Sequence, residues 1–206
     1  MKKAPRIGIY AGSFDPVHAG HISFALQALQ QAKLDEVIFL PERKPFFKPG
    51  AEHFGHRVAM LKTALKPHPS LSVAETVDRQ FTVRRTLRQL RALLPPDAQL
   101  VFLFGADTVA LLPTWPHAEE LLRTCEIVVA VKQGQKLKTV QGVIKGWPTQ
   151  PLATTIIPAH APHVSSTAIR AALRKNIPTG GLLASVRRYA HRQWLYVSLD
   201  KLKNQA

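Results

Sequence analysis

The chain has 206 residues, of which 46% are hydrophobic and 20% are charged. This proportion of apolar residues is sufficient for a buried core, so it excludes an intrinsically disordered protein, and the length fits one domain. Lys and Arg total 28 against 13 Asp and Glu, which gives a formal net charge of +15. Residues 127–206 contain twelve basic side chains and one acidic side chain, Asp200. A surface of that sign attracts phosphate esters, nucleic acid or acidic lipid headgroups.

Cysteine content and hydropathy exclude further classes of protein. Cys125 is the single cysteine of the chain, which excludes an intramolecular disulfide and a zinc site built from several cysteines. The apolar run after Arg6 meets Ser13 and Asp15 too soon for a signal peptide. The longest stretch without charge, 146–169, contains four prolines and cannot form a membrane-spanning helix. We therefore expect a cytoplasmic protein with no membrane partner.

Short apolar runs alternate with longer amphipathic stretches along the chain. Near-continuous apolar runs predict buried strands, and a period of about 3.6 residues predicts helices. In chain order the predictions are strand 6–10, helix 21–33, strand 36–40, helix 56–66, strand 71–74, helix 82–94, strand 100–104, helix 116–124, strand 127–131, a weaker strand 154–157, and helices 166–175 and 182–194. This alternation predicts a doubly wound α/β fold, with a mainly parallel sheet and helices on both faces.

Two long segments lie outside this pattern. The segment 41–55 carries three basic residues among prolines and phenylalanines, and 133–150 carries three lysines. Neither segment has a clear strand or helix period, so both are predicted to be loops and the second to be mobile. Loops of this length within a compact domain are usually functional.

The motif G-S-F-D-P-V-H-A-G-H over 12–21 lies between the first predicted strand and the first predicted helix. Ligands of α/β sheets bind at the carboxyl ends of strands, and helix N-termini favour anions. Gly12 permits a close backbone approach, while His18 and His21 are three residues apart and share one side of the turn. The histidines alone are compatible with a phosphate site, a structural turn or a pair of metal ligands.

A second motif, S-S-T-A-I-R over 165–170, opens the predicted helix 166–175. Hydroxyls at a helix start are typical N-caps. Three successive hydroxyls, with Arg170 about one turn further on, are also suited to a polyphosphate tail at the positive end of the helix dipole. The segment alone is equally compatible with a cap and with a phosphate site.

Together these motifs resemble the HxGH nucleotidylyltransferase superfamily and, within it, the nicotinate-nucleotide adenylyltransferase family. The resemblance is strengthened by G-A-D at 105–107 and L-P-T-W at 112–115, and it extends over about 7–196. It implies a Rossmann-like fold and the transfer of AMP from ATP to nicotinate mononucleotide, with release of pyrophosphate, in NAD biosynthesis. Mg²⁺ would accompany ATP, and no side chain is expected to be a dedicated metal ligand.

The resemblance also implies the site residues. His18 and His21 would be catalytic, and the 164–197 part of a single domain over 1–206 would complete the ATP site. Trp115 would stack on the pyridine ring of the acceptor, although a tryptophan of the core is the alternative. The implied ATP-binding residues are Gly12, Ser13, Phe14, His18, His21, Gly105, Asp107, Ser166, Thr167 and Arg170. The implied acceptor-binding residues are Lys44, Lys48, Thr86 and Trp115.

Departures from the family's pattern concentrate on the acceptor side. Phe47 stands where the family usually has a histidine, Arg84 and Arg85 stand where it has an acid, and Pro116 replaces an aromatic residue or histidine. A related adenylyltransferase that uses nicotinamide mononucleotide or phosphopantetheine is therefore the alternative enzyme. A basic nucleic-acid-binding protein is the alternative of another class, but the chain has no helix-turn-helix, zinc-finger or RNP signature.

Overall fold

Six parallel strands form the sheet in the part of the chain that the computed structural model describes, residues 3–45, 48, 50–76, 78, 80–131, 134–158 and 164–197. Each strand coincides with a predicted apolar run to within one or two residues at either end. The strands are β1 (Arg6–Gly12), β2 (Glu36–Pro41), β3 (Leu71–Val73), β4 (Gln99–Gly105), β5 (Glu126–Val131) and β6 (Thr154–Pro158).

The order of strands across the sheet is β3-β2-β1-β4-β5-β6. The chain moves outward from β1 to β3 and then crosses back to β4, which pairs with the other side of β1. The order therefore reverses between β1 and β4. In a doubly wound sheet this reversal opens a crevice at the carboxyl ends of the two strands, because their following loops turn to opposite faces. The predicted Rossmann-like α/β fold is confirmed.

Helices cover both faces of the sheet. One buried cluster joins the sheet to the helices over 19–31, 54–65, 166–175 and 184–192, and a second cluster joins it to the helices over 83–93, 106–111, 118–124 and 137–145. Every helix in the described ranges is too short or too polar to cross a membrane. The helices are α1 (Ala19–Gln31), α2 (Phe54–Leu65), α3 (Val83–Leu93), α4 (Ala106–Leu111), α5 (Ala118–Thr124), α6 (Leu137–Lys145), α7 (Ser166–Lys175) and α8 (Ala184–Arg192), with a 3₁₀ turn at Leu112–Thr114.

The prediction of a mobile loop over 133–150 is wrong. Its centre forms α6, and Val140, Ile144 and Trp147 are only 8%, 5% and 8% exposed. These apolar residues follow the i, i+4, i+7 spacing of one helix face. The lysines at 136, 138 and 145 and the glycines at 142 and 146 obscured this short pattern in the sequence. The segment is therefore part of the core of one sheet face, whereas the described residues of 42–53 form no helix or strand, as predicted.

Candidate active site

A cavity of about 580 Å³ opens at the carboxyl ends of β1 and β4. It is built from the turn after β1, the loop after β2, the start of α4 and the start of α7. All ten residues predicted to bind ATP line this cavity, and so do Lys48 and Trp115 from the predicted acceptor side. The fold thus brings together motifs that are about 150 residues apart in the sequence, which indicates a single site.

His18 and His21 lie at the start of α1, where the extended backbone of His18 ends the turn that follows β1. Their rings are stacked, with centroids 3.7 Å apart and an interplanar angle of 27°. The backbone N–H of His18 donates to Nδ1 of His21 at 3.2 Å. Because Nδ1 of His21 accepts this hydrogen bond, the neutral ring carries its proton on Nε2. His21 is therefore prepared to donate a hydrogen bond from Nε2.

The environment keeps both imidazoles uncharged at neutral pH. Burial lowers the pKa of His18 to about 4. Burial, followed by the neighbouring His18 and Lys48, lowers the pKa of His21 well below its usual value. Nδ1 of His18 is buried and has no hydrogen-bond partner among the described residues. A buried polar atom without a partner is costly in a folded protein, and such atoms are common at sites that a ligand completes.

Lys48 brings a positive charge to the same end of the cavity. Its ammonium donates to Oγ of Ser13 at 2.8 Å, so it stands beside the motif that follows β1. The resemblance implied a role on the acceptor side for Lys48. The structure places the side chain against Ser13, which the resemblance assigns to the ATP-binding residues.

The first turn of α7 forms a second wall of the cavity, next to the turn after β1. Oγ of Ser165 accepts the backbone N–H of Ala168 at 3.1 Å, so this hydroxyl is the helix cap. Oγ of Ser166 donates to the carbonyl of Pro16 at 3.0 Å, which ties α7 to the turn after β1. Arg170 follows one turn later, and its Nη2 donates to Oγ1 of Thr167 at 3.4 Å. The cap thus uses the hydroxyl of Ser165, while Ser166, Thr167 and Arg170 line the cavity and their phosphate role stays a prediction.

The third wall comes from the end of β4 and the segment after it. A Cβ added to Gly105 would meet no atom within 4 Å among the described residues, so the space above this strand end is open. Asp107 is exposed in the first turn of α4. Trp115 is partly buried and packs against Phe81 and Phe104, with ring centroids 5.6 and 6.0 Å away. Trp115 therefore borders both the core and the cavity. This position is compatible with a core tryptophan and with the predicted stacking role.

Two predicted acceptor residues do not line the cavity. Thr86 is only 2% exposed within α3, and its Oγ1 accepts the backbone N–H of Thr82 at 3.2 Å. Its hydroxyl therefore serves the start of the helix. Lys44 is exposed and lies outside the lining of the cavity. Phe47, the residue that replaces the family's histidine, lies outside the described residues.

Arg57 is a structural residue of the site whose role sequence reasoning missed. Its side chain is only 1% exposed and donates to four carbonyls, which belong to Ser13, Glu42, Arg43 and Glu52 at 2.6, 2.7, 3.0 and 2.9 Å respectively. It thereby holds the turn after β1 against the loop after β2. The available signal was an arginine one turn before Met60 and Leu61 on the buried face of α2. A charged residue in that position requires buried partners.

The carboxylates of the cavity are Glu42 and Asp107, which come from different walls. Within the described ranges, the one cluster with metal-ligand geometry is His117, Glu119 and Glu120, outside the cavity. Glu120 already pairs with Arg84. The donors at the cavity therefore fit a cation carried by phosphate oxygens and water better than a cation held in a cage of carboxylates.

Comparison with known proteins gives a consistent family. The model for cytidylyltransferase-like proteins matches residues 9–172. The probable nicotinate-nucleotide adenylyltransferase of Leifsonia xyli subsp. xyli is 34% identical and aligns over 96% of this chain and 97% of its own. The nicotinate-nucleotide adenylyltransferase of Bacillus subtilis is also 34% identical, over 96% and 100% of the two chains.

A solved structure extends the likeness to three dimensions. Plasmodium falciparum nicotinic acid mononucleotide adenylyltransferase complexed with NaAD superposes with a TM-score of 0.77. The superposition covers 93% of this chain and 97% of that one, at 17% sequence identity. At this identity the likeness concerns the fold, and it agrees with the six-stranded parallel sheet described above.

Proposed function

This chain belongs to the nicotinate-nucleotide adenylyltransferase family of the cytidylyltransferase-like proteins, and from this premise we propose that it transfers AMP from ATP to nicotinate mononucleotide. The products are pyrophosphate and nicotinate adenine dinucleotide. The observation that carries the proposal is the single cavity in which the histidine pair, the start of α7 and Trp115 meet. The histidine pair and the start of α7 offer hydrogen-bond donors to phosphates, and Trp115 offers a flat aromatic surface.

The reaction needs little covalent chemistry from the protein. An oxygen of the acceptor's 5′-phosphate forms a bond to the α-phosphorus of ATP, and the bond from that phosphorus to the bridging oxygen of pyrophosphate breaks. The attacking phosphate is already ionised at neutral pH, so no base has to remove a proton. The protein therefore acts by positioning the two phosphates and by compensating the charge that develops on their oxygens.

His21 supplies the central donor in this proposal. Its Nε2–H would donate to an oxygen of the α-phosphate, because its Nδ1 is already engaged by the backbone of His18. A neutral donor fits here, since burial keeps the pKa of His21 low in the free protein. As negative charge develops on that phosphate oxygen, the hydrogen bond that it accepts from Nε2–H strengthens toward the transition state. His18 would donate to a neighbouring phosphate oxygen.

The triphosphate tail would extend toward α7. Ser166 and Thr167 line the cavity at the positive end of this helix, and Arg170 adds a guanidinium one turn later. The segment 164–197 thus belongs to the same domain as the sheet and completes its ATP site. A divalent cation, which we propose to be Mg²⁺, would enter with ATP. It would be held by triphosphate oxygens and water, with Asp107 and Glu42 as the carboxylates within the cavity.

Trp115 would hold the acceptor by stacking on its pyridine ring. Such a stack contributes about 0.5–1.5 kcal/mol beyond burial, and it does so equally for the acid and the amide. Selection of the acid depends on positive charge, and Lys48 supplies one ammonium within the cavity. We therefore propose that nicotinate mononucleotide is preferred to its amide.

The test is pyrophosphate release from ATP with a panel of acceptors: nicotinate mononucleotide, nicotinamide mononucleotide, phosphopantetheine and no acceptor. We expect the highest kcat/KM with nicotinate mononucleotide and no release without an acceptor. An equal or reversed ratio between acid and amide would reject the proposed selectivity. Release with phosphopantetheine alone would reject the acceptor class and retain the ATP chemistry. The His21→Ala variant should lower kcat by about 10²–10³ with every acceptor that supports release, and His191→Ala, an exposed histidine outside this cavity, is the matched control.

A further inference from the structure

Asp15 lies within the motif that follows β1, yet its side chain does not line the cavity. It is only 1% exposed and sits behind the cavity wall, between Phe14 and His18, which do line it. A buried carboxylate is expensive unless it is paired and hydrogen-bonded. The chemistry proposed above gives Asp15 no direct contact with a substrate, so its partners indicate its role.

Three distant segments converge on Asp15. The hydroxyl of Tyr196 donates to its Oδ1 at 2.7 Å, and the backbone N–H of Glu52 approaches the same oxygen at 3.4 Å. Nη1 of Arg170 donates to the backbone carbonyl of Asp15 at 2.6 Å and lies 3.7 Å from Oδ2. Asp15 thus links the loop after β2, the segment after α8 and Arg170 of α7.

Tyr196 adopts an unusual backbone conformation to make this contact. Its φ is 60°, in the left-handed region that costs a residue with a side chain about 1 kcal/mol or more. Its side chain is only 4% exposed, and its backbone N–H donates to Oε1 of Glu52 at 3.4 Å. Burial and the adjacent Asp15 raise the pKa of the phenol, so the hydroxyl stays protonated and acts as a donor. The chain therefore uses a costly local conformation to direct one hydroxyl to one carboxylate.

These contacts restrict the orientation of the Arg170 guanidinium. A guanidinium has five N–H donors in a fixed plane, so holding one end determines where the others point. The backbone carbonyl of Asp15 accepts a hydrogen bond from Nη1, and the Asp15 carboxylate forms an ion pair with the same nitrogen at 3.7 Å, while Nη2 lies toward Thr167 at the cavity wall. An arginine fixed before ATP arrives loses less side-chain entropy on binding than a free one. Because the Asp15 carboxylate is buried, its Oδ1 also needs a hydrogen-bond donor. The hydroxyl of Tyr196 is that donor.

We propose that Asp15 and Tyr196 are positioning residues that orient Arg170 toward the ATP triphosphate. The segment after α8 thereby sets the affinity of the ATP site through a hydrogen bond to a residue 181 positions earlier in the chain. The inference rests on the proposed function, in that it takes Arg170 as a triphosphate ligand.

The experiment is a double-mutant cycle with Tyr196→Phe, Arg170→Ala and the combination, read out as the Kd for ATP by calorimetry without acceptor. Tyr196→Phe should raise this Kd about fivefold to tenfold, which corresponds to about 1–1.4 kcal/mol. In the Arg170→Ala background the same change should have little further effect, because the group it positions is gone. The KM for nicotinate mononucleotide should stay unchanged in Tyr196→Phe.

Tyr189→Phe is the matched control. It also removes one partly buried tyrosine hydroxyl near the end of the chain, where the oxygen lies 3.0 Å from Nδ1 of His56. This variant should lower the Tm without changing the Kd for ATP. If Tyr196→Phe behaves in the same way, or if it raises the Kd equally in both backgrounds, the positioning role is rejected.

Arg170→Lys keeps the proposal falsifiable if Tyr196→Phe does not fold. Lysine retains the positive charge but lacks the planar fork that contacts Asp15 and Thr167 together. We expect its Kd for ATP to rise by a similar factor, and wild-type affinity would overturn the proposal. Calorimetry also separates this inference from the proposed function. If the protein binds ATP but releases no pyrophosphate with nicotinate mononucleotide, the function fails, while the cycle still tests the positioning role.

Discussion

Lowering the pH should destabilise this protein through its buried histidine pair. His18 is only 7% exposed, and burial lowers its pKa to about 4, against about 6.5 in an unfolded chain. The unfolded state therefore binds more protons than the folded state between these two values. Stability that is fully present above pH 6.5 is lost as the pH falls toward 4.

The size of the effect follows from the two pKa values. Between pH 7 and pH 5 His18 alone should lower the free energy of unfolding by about 2 kcal/mol, and by about 3 kcal/mol once the pH is well below 4. His21 acts in the same direction, because burial and its neighbours also lower its pKa. This loss is a large fraction of the roughly 5–15 kcal/mol that stabilises a typical domain.

Urea unfolding at pH 7 and pH 5 measures this loss for the wild type and for His18→Gln. Glutamine does not titrate, so the variant should lose about 2 kcal/mol less than the wild type between the two pH values. His191→Gln removes an exposed imidazole and should lose as much as the wild type. Equal pH dependence in the wild type and His18→Gln would refute the argument that burial keeps His18 uncharged.

Three further predictions concern single side chains. His21→Ala should lower kcat by about 10²–10³ while changing the Kd for ATP little, since the donor that it removes acts mainly in the transition state. Wild-type turnover of this variant in steady-state assays would contradict the prediction. Arg170→Ala should raise the KM for ATP about tenfold or more and lower kcat less, because a triphosphate contact is made in the ground state too. Normal kinetics combined with a lower Tm would show that Arg170 has only a structural role. Arg57→Met should lower the free energy of unfolding, measured in urea, by about 3–5 kcal/mol, because four carbonyls lose a charged donor. A loss below about 1 kcal/mol would show that water replaces the guanidinium.

The accuracy of the sequence predictions varied with the kind of signal. The strands were predicted closely, because a strand buried on both faces is a continuous apolar run that needs no knowledge of its neighbours. The short α6 was missed, since the buried apolar residues at 140, 144 and 147 are few and two glycines and a lysine lie between them. Thr86 was expected at the acceptor site from the resemblance alone. The motif around it differs from the family's pattern, and it gave no indication that the Thr86 hydroxyl accepts a hydrogen bond at the start of α3.

The strand–helix alternation and the residue types of the two motifs could be read from the amino-acid sequence alone. Both are local properties, read from the spacing of side chains along the chain. Which of these residues meet depends on the tertiary fold. It placed Lys48 beside Ser13, and it joined Asp15 to Tyr196 across 181 residues. It also decided that the histidines are neutral, because a pKa depends on burial and neighbouring charge, and these are set by long-range packing that no local pattern encodes.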